Sequence, residues 1–195
     1  MLLSKRITTL CLTVVVVALC LTTSRAQTQP KFSSAYTDLK RECRSPLTRK
    51  EEKEAEERGS DIPILCKGYG GYAIYIYYSA MASQIAITRP TKADRIGDPD
   101  TLALQGLNYD QEGRKVEWRL ADGKPFAVIL RVSNYSEKAA ENGGNPFDPK
   151  FKTGESLLVK GLKGYEHIDF TVDTKTTPNP NVKARELADS NYKKQ

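Results

Sequence analysis

At 195 residues, with 30 Lys and Arg against 24 Asp and Glu, the chain has the size of one globular domain and a formal charge of +6. Lys5, Arg6 and Arg25 lie in the first 26 positions, which hold no acid, so the remainder carries 27 basic and 24 acidic side chains, a net of +3. About half of the basicity therefore belongs to a leader. With no Lys/Arg stripe interleaved with aromatics, nothing points to a nucleic-acid partner.

The leader itself reads as a secretory signal. Lys5 and Arg6 precede an apolar run from Ile7 to Leu21, and Ser24 and Ala26 supply the small-x-small pattern of a cleavage site. The run is shorter than the roughly 20 residues needed to span a bilayer as a helix. Residues 1–26 are thus expected to be removed, leaving no stable membrane insertion and placing residues 27–195 in the periplasm or outside the cell as one domain. An uncleaved anchor is the competing reading. A lipoprotein at Cys20 is disfavoured because Leu19, not a small residue, precedes it.

Cys11 and Cys20 leave with the signal. Cys43 and Cys66 remain, and two thiols in an exported chain point to one disulfide, closing a loop of 22 intervening residues. A metal pair or redox pair would need CxxC spacing or further ligands, and neither is present.

In chain order, Phe32 to Leu39 has the spacing of a short first strand. Residues 46–60 form a charged excursion between the cysteines. Thr48 followed by Glu51 fits a capping box and Gly59 a helix stop, but only Leu47 and Ala55 are apolar. The segment reads as a solvated helix or a loop. From Tyr72 to Tyr78 the two-residue period in β-favouring types predicts a strand, entered through Gly68, Gly70 and Gly71. A turn at 79–83 and a strand at 84–88 would complete a hairpin. Residues 89–100 read as a loop, and Leu102, Leu104 and Leu107 as a weakly patterned strand.

Residues 114–132 form a second hairpin. A two-residue Asp122-Gly123 loop would set Glu117 opposite Val128 and Arg119 opposite Phe126, mixing charged and apolar residues. A three-residue loop from Ala121 to Gly123 pairs Trp118 with Phe126 and Val116 with Val128, and is the register favoured here. Trp118 and Phe126 are expected in the core. Residues 134–153 read as a long loop, 155–160 and 165–172 as strands. Asn179-Pro180 looks like a cap and first-turn proline of a helix through Tyr192 that buries Ala184, Leu187 and Ala188. The sum is a mainly β chain, an antiparallel sandwich or open barrel of six or seven strands with a C-terminal helix and a polar N-terminal helix or loop.

Several of these stretches together resemble an uncharacterised family of exported bacterial proteins. The resemblance rests on Phe32–Leu39, Cys43 with Cys66–Tyr72, Trp118-Arg119, Gly123–Val132 and Ala184–Asp189. It covers most of the chain after the leader, but its motifs are structural in kind and imply no activity, ligand or catalytic residue. The family's late strand often carries a third cysteine. None stands there in this sequence, which leaves Cys43 and Cys66 as a single pair.

No catalytic constellation is legible. His167 is the only histidine, which rules out a His-rich zinc site, and no Gly-x-Ser-x-Gly or Ser-x-x-Lys motif nominates a nucleophile. On an alternating strand His167 lies opposite Ile168 and Phe170 and reads as exposed. Gly68-Tyr-Gly-Gly71 precedes a strand rather than a helix, so it is no phosphate cradle. No cofactor, metal ligand or catalytic residue is nominated. The remaining candidates are aromatic: Tyr69, Tyr75 and Tyr77, if they face outward, would stack on a sugar ring or a partner's side chain. Alternatively, Tyr75 and Tyr77 pack beneath a second sheet or the late helix. The reading adopted is an exported, disulfide-stapled, non-enzymatic binding module for a protein or glycan. A small glycan hydrolase using two unidentified carboxylates is the alternative. A periplasmic lysozyme inhibitor ranks third, because a charge of +3 would repel a basic lysozyme.

Overall fold

The computed structural model describes residues 29–78, 83–89, 101–107, 115–136, 138 and 145–193. The expected signal peptide, most of the turn at 79–83 and nearly all of the loop at 89–100 lie outside the described residues. What is described is mainly β: two open, five-stranded antiparallel sheets, a short helix and a C-terminal helix, with no closed barrel.

The first sheet contains β1 (Phe32–Asp38), β7 (Lys115–Ala121), β8 (Lys124–Tyr135), β9 (Lys152–Gly161) and β10 (Asp169–Asp173), in that spatial order. The second runs β2 (Cys43–Arg44), β3 (Ile64–Lys67), β4 (Ala73–Tyr78), β5 (Ser83–Thr88) and β6 (Leu102–Leu107), each strand beside its sequence neighbour. The chain leaves the first sheet after β1, completes the second as a meander, and returns to lay β7 against β1. Ten strands stand where the sequence suggested six or seven. Two of them, β2 and β3, lie where no strand was expected and have two and four residues, too short to show a period.

Their pairing is fixed covalently: Cys43 and Cys66 are direct cross-strand partners and form the disulfide. Between them the charged excursion resolves as helix α1 (Arg49–Glu57). Its capping box is complete, with the Glu51 amide donating to Thr48 Oγ1 at 3.3 Å and the Thr48 amide donating to Glu51 Oε2 at 2.7 Å. The Thr48 amide, and with it the Thr48 hydroxyl, which donates to Glu51 Oε2 at 2.7 Å, hold the Glu51 carboxyl below its ordinary pKa. Ala55 is the helix's one buried residue, as expected of a segment without an apolar face.

The β7–β8 hairpin corrects the sequence reading. Ala121 pairs with Lys124, so the loop is the two-residue Asp122-Gly123 turn. Both residues have positive φ, 49° and 79°, as a type I′ turn requires and as glycine readily adopts. The clash that argued against this loop is removed by a bulge. Leu120 faces Pro125 but Arg119 faces Ala127, so Phe126 is the extra residue, and beyond it Trp118 faces Val128 and Val116 faces Leu130. Val116, Trp118, Val128 and Leu130 still share a face, but the pairing is shifted by two residues. Trp118 and Phe126 are both buried, as expected, but the bulge turns Phe126 to the opposite face of the sheet.

One hydrophobic cluster joins the two sheets. Val116, Trp118, Leu120, Val128 and Leu130 from the first meet Tyr72, Ile74, Ile76, Ile85, Ile87 and Leu104 from the second. Trp118 packs 5.7 Å from the Tyr72 ring and donates its Nε1–H to Thr37 Oγ1 at 2.9 Å. The glycine turn before β4 also touches the first sheet. A Cβ on Gly70 (φ 61°) would sit 2.7 Å from Pro125 Cγ.

The other face of the first sheet is covered by helix α2 (Pro180–Ser190). Ala184 and Ala188 are fully buried against Phe126, Ala127, Ile129, Leu157, Val159, Ile168 and Val172. Asn179 is the cap position, but its φ is 49° and its side chain makes no capping bond; its carbonyl accepts from Val182 and Lys183. Several boundaries differ from the sequence reading, and α2 ends at Ser190 rather than at Tyr192. Strand β8 continues to Tyr135 and β9 begins at Lys152, narrowing the loop expected at 134–153. Tyr165 to His167 form a turn before β10, with the Ile168 amide bonded to the Tyr165 carbonyl at 2.9 Å.

Candidate functional site

A buried polar array lies between the first sheet and α2. On β7 the residues facing the helix are Glu117 and Arg119, whose side chains are 10% and 6% exposed. Register places Tyr36 opposite Glu117 and Ser34 opposite Arg119 on β1. On α2, Arg185 and Asp189 are four apart and therefore stack on one face. Two residues of strand span about 6.7 Å and four of helix about 6 Å, so two strand residues match one helical turn.

The result is two forked ion pairs side by side. Arg119 donates to both Asp189 oxygens, Nε at 3.0 Å and Nη2 at 2.6 Å. Arg185 donates to both Glu117 oxygens, Nε at 2.6 Å and Nη2 at 3.1 Å. Ser34 joins them, donating to Glu117 at 2.6 Å and accepting from Arg119 Nη1 at 2.5 Å. The hydrogen bond to Glu117 drives the Arg185 pKa up from its already high value, so its charge is permanent. Tyr36 Oη accepts from Arg185 Nη2 at 3.1 Å, while 53% of Tyr36 remains exposed.

Beside the array opens a cavity of about 360 Å³. Ile129 and Leu157 are its apolar lining, and Tyr36, Lys115, Glu117, Arg131, Asn181 and Arg185 its polar one. Arg131 donates to Glu155 Oε2 at 3.0 Å and Asn181 Oδ1 at 3.3 Å. Glu155 also accepts from Lys152 at 2.9 Å, and the two cations, Lys152 foremost, lower its pKa. Three cations thus line the cavity against the single carboxylate of Glu117.

A larger cavity, about 540 Å³, borders the disulfide between Glu42, Arg44, Leu65, Lys67, Tyr72 and Ala73. Its Lys67 lies 3.4 Å from Glu42, and its lining is mostly apolar. Size favours this cavity, but recognition chemistry favours the smaller one, where a fork of guanidinium donors, an amide and an exposed ring converge.

The tyrosines singled out from the sequence are placed elsewhere. Tyr75 and Tyr77 stack with ring centroids 6.2 Å apart on the face of β4 away from the shared core. Tyr75 is 8% exposed, packed with Ala73 and Ala86, so it is not displayed as a stacking platform. Tyr77 is half-buried, and Tyr69, in the turn before β4, is 36% exposed. His167 is exposed and donates from Nε2 to the Asn191 carbonyl at 2.9 Å, beside the end of α2. Among the described residues no group of three or more His, Cys, Asp or Glu is placed to hold a metal ion, and no helix is long and apolar enough to cross a membrane.

The residues that build the polar array were not nominated from the sequence. One signal was present: a charged pair two apart on a predicted strand, Glu117 and Arg119, and its complement four apart on a predicted helix, Arg185 and Asp189. The chain matches no protein-family model, no curated protein and no solved structure.

Proposed function

We propose that the chain is an exported, non-enzymatic binding module, a disulfide-stapled β-sandwich that engages a glycan or protein in the periplasm or outside the cell. The observation that carries this reading is the cavity beside Tyr36, where an exposed ring adjoins Lys115, Arg131, Asn181 and Arg185. The leader at 1–26 and the resemblance to an exported family support the compartment. Glycan hydrolysis is weaker at this position. It needs two carboxyl groups about 5–9.5 Å apart, one of them protonated. Glu117 is the one acid lining the cavity among the described residues, and Arg185 clamps both its oxygens. Both of its oxygens are thus already engaged, by Arg185 and by the Ser34 hydroxyl, and are not presented to a glycosidic oxygen.

A thermal-shift screen of the purified protein against peptidoglycan fragments, other glycans and lysozyme tests the reading. Ligand that binds only the native state raises the melting temperature in a saturable way. The expected result is such a rise, lost in a Tyr36→Ala variant that still melts cooperatively. A ligand-induced rise unaffected by Tyr36→Ala, or release of cleaved sugar by the wild type, would contradict it.

A further inference from the structure

Resting on the binding-module reading, we infer that the cavity between β1, β7 and the start of α2 takes a carboxylate-bearing sugar of the uronate type. The inference follows from charge accounting. Arg185 is matched by Glu117 and Arg131 by Glu155, which also holds Lys152. Lys115 has no carboxylate within ion-pair distance among the described residues. Asp38, its neighbour in register, instead lies 3.9 Å from Arg41 and accepts the Lys40 amide at 2.9 Å. Of the three cations lining the cavity, Lys115 is therefore the one with no carboxylate partner among the described residues, and the surplus of positive charge suits an anionic ligand.

The donors are of the right kind. Arg185 Nη1 and Arg131 Nε make no hydrogen bond among the described residues, although both guanidinium groups are held in place by their other bonds. Two pre-oriented guanidinium edges and an exposed ammonium are groups that recognise a planar carboxylate. Tyr36 adds what a sugar needs and an isolated anion does not. Its exposed ring offers an apolar face for pyranose C–H groups, while its hydroxyl is tied back to Arg185. The cavity, about 360 Å³, lies at the small end of the range for small-molecule sites, which suits a single ring rather than a peptide segment.

Calorimetric titration of the purified protein with trigalacturonate, the neutral galactose trimer and triglutamate tests this. Trigalacturonate is expected to bind saturably and to weaken with salt. Lys115→Ala should weaken it about fivefold, the scale of one half-exposed ion pair, and Lys115→Arg should restore it. Lys115 is exposed and makes no ion pair among the described residues, so both variants are expected to keep the wild-type melting temperature. Equal binding of the neutral trimer, lost in Tyr36→Ala, would overturn the carboxylate inference and leave the module reading standing. Tighter binding of triglutamate would instead make the cavity an acidic-peptide site. No binding of trigalacturonate would also overturn the inference, and the broader screen would decide the module reading alone.

Discussion

On its inner face, β7 presents Val116, Trp118 and Leu120 to the second sheet; on its outer face, Glu117 and Arg119 reach α2. All five residues are buried, so the strand is covered equally on both sides but by opposite chemistry. The inner face gains from non-directional removal of apolar area, roughly 25 cal/mol per Å². The outer face adds little net energy, because desolvating charges offsets most of their attraction. What it supplies is position. Two forked pairs at matched spacing accept α2 in one register and one orientation, and so fix the rim of the cavity beside Arg185.

The comparison can be broken from either side. Trp118→Ala should have the largest effect, about 3–5 kcal/mol, because it empties the centre of the shared core and leaves Thr37 without its indole partner. Urea unfolding measures it, and a loss under about 1 kcal/mol would show that the sheets are held by something else. Next, the Cys43→Ala/Cys66→Ala double variant should lose on the order of 3 kcal/mol, the value for freeing a loop of this length. That cost belongs to the second sheet, so binding at the Tyr36 cavity should persist wherever the variant remains folded.

A smaller effect should appear at high pH on the outer face. Burial, followed by its hydrogen bond with Tyr192, pushes the Tyr165 hydroxyl up to about 12. The ordinary tyrosine value is about 10, so the unfolded chain ionises first. The Tyr165 contribution to stability is therefore intact below about pH 10 and is lost as the pH rises from there to about 12. Tyr165→Phe should flatten the alkaline limb of the stability profile. An unchanged limb would place the burden on other groups.

Much of the scaffold was legible in the sequence because it is written in local patterns. The Thr48 capping box, the tyrosine strand and the Ala184/Ala188 helix face each follow from spacing within a few residues, and the disulfide from the two cysteines left after the leader. The β7–β8 hairpin shows where such reasoning stops. Alternation identifies which residues share a face, and Trp118 with Val128 was correctly grouped. It is blind to a shift of two residues, and it could not see that a bulge at Phe126 makes the short Asp122-Gly123 turn compatible with an apolar face. Strands β2 and β3 were missed because a period needs more residues than they have. The polar array was hidden for a different reason. Alternating charged and apolar residues ordinarily mark a strand with one solvated face, and only α2, whose Arg185 and Asp189 lie 68 and 70 residues away in sequence from their partners, makes Glu117 and Arg119 interior. Tyr75 fits the same lesson, since pattern gives its side of the strand but not what that side meets.

The central claim is that paired charges, not apolar area, set the position of α2. A double-mutant cycle of Arg119→Met and Asp189→Leu, read by urea unfolding, tests it most directly. The account predicts that each single variant is destabilising, because it strands a buried charge, and that the double variant recovers at least about 1.5 kcal/mol of their sum. Losses that add to within about 0.5 kcal/mol would contradict it, showing that the two side chains act independently and that this pair does not hold α2 in position.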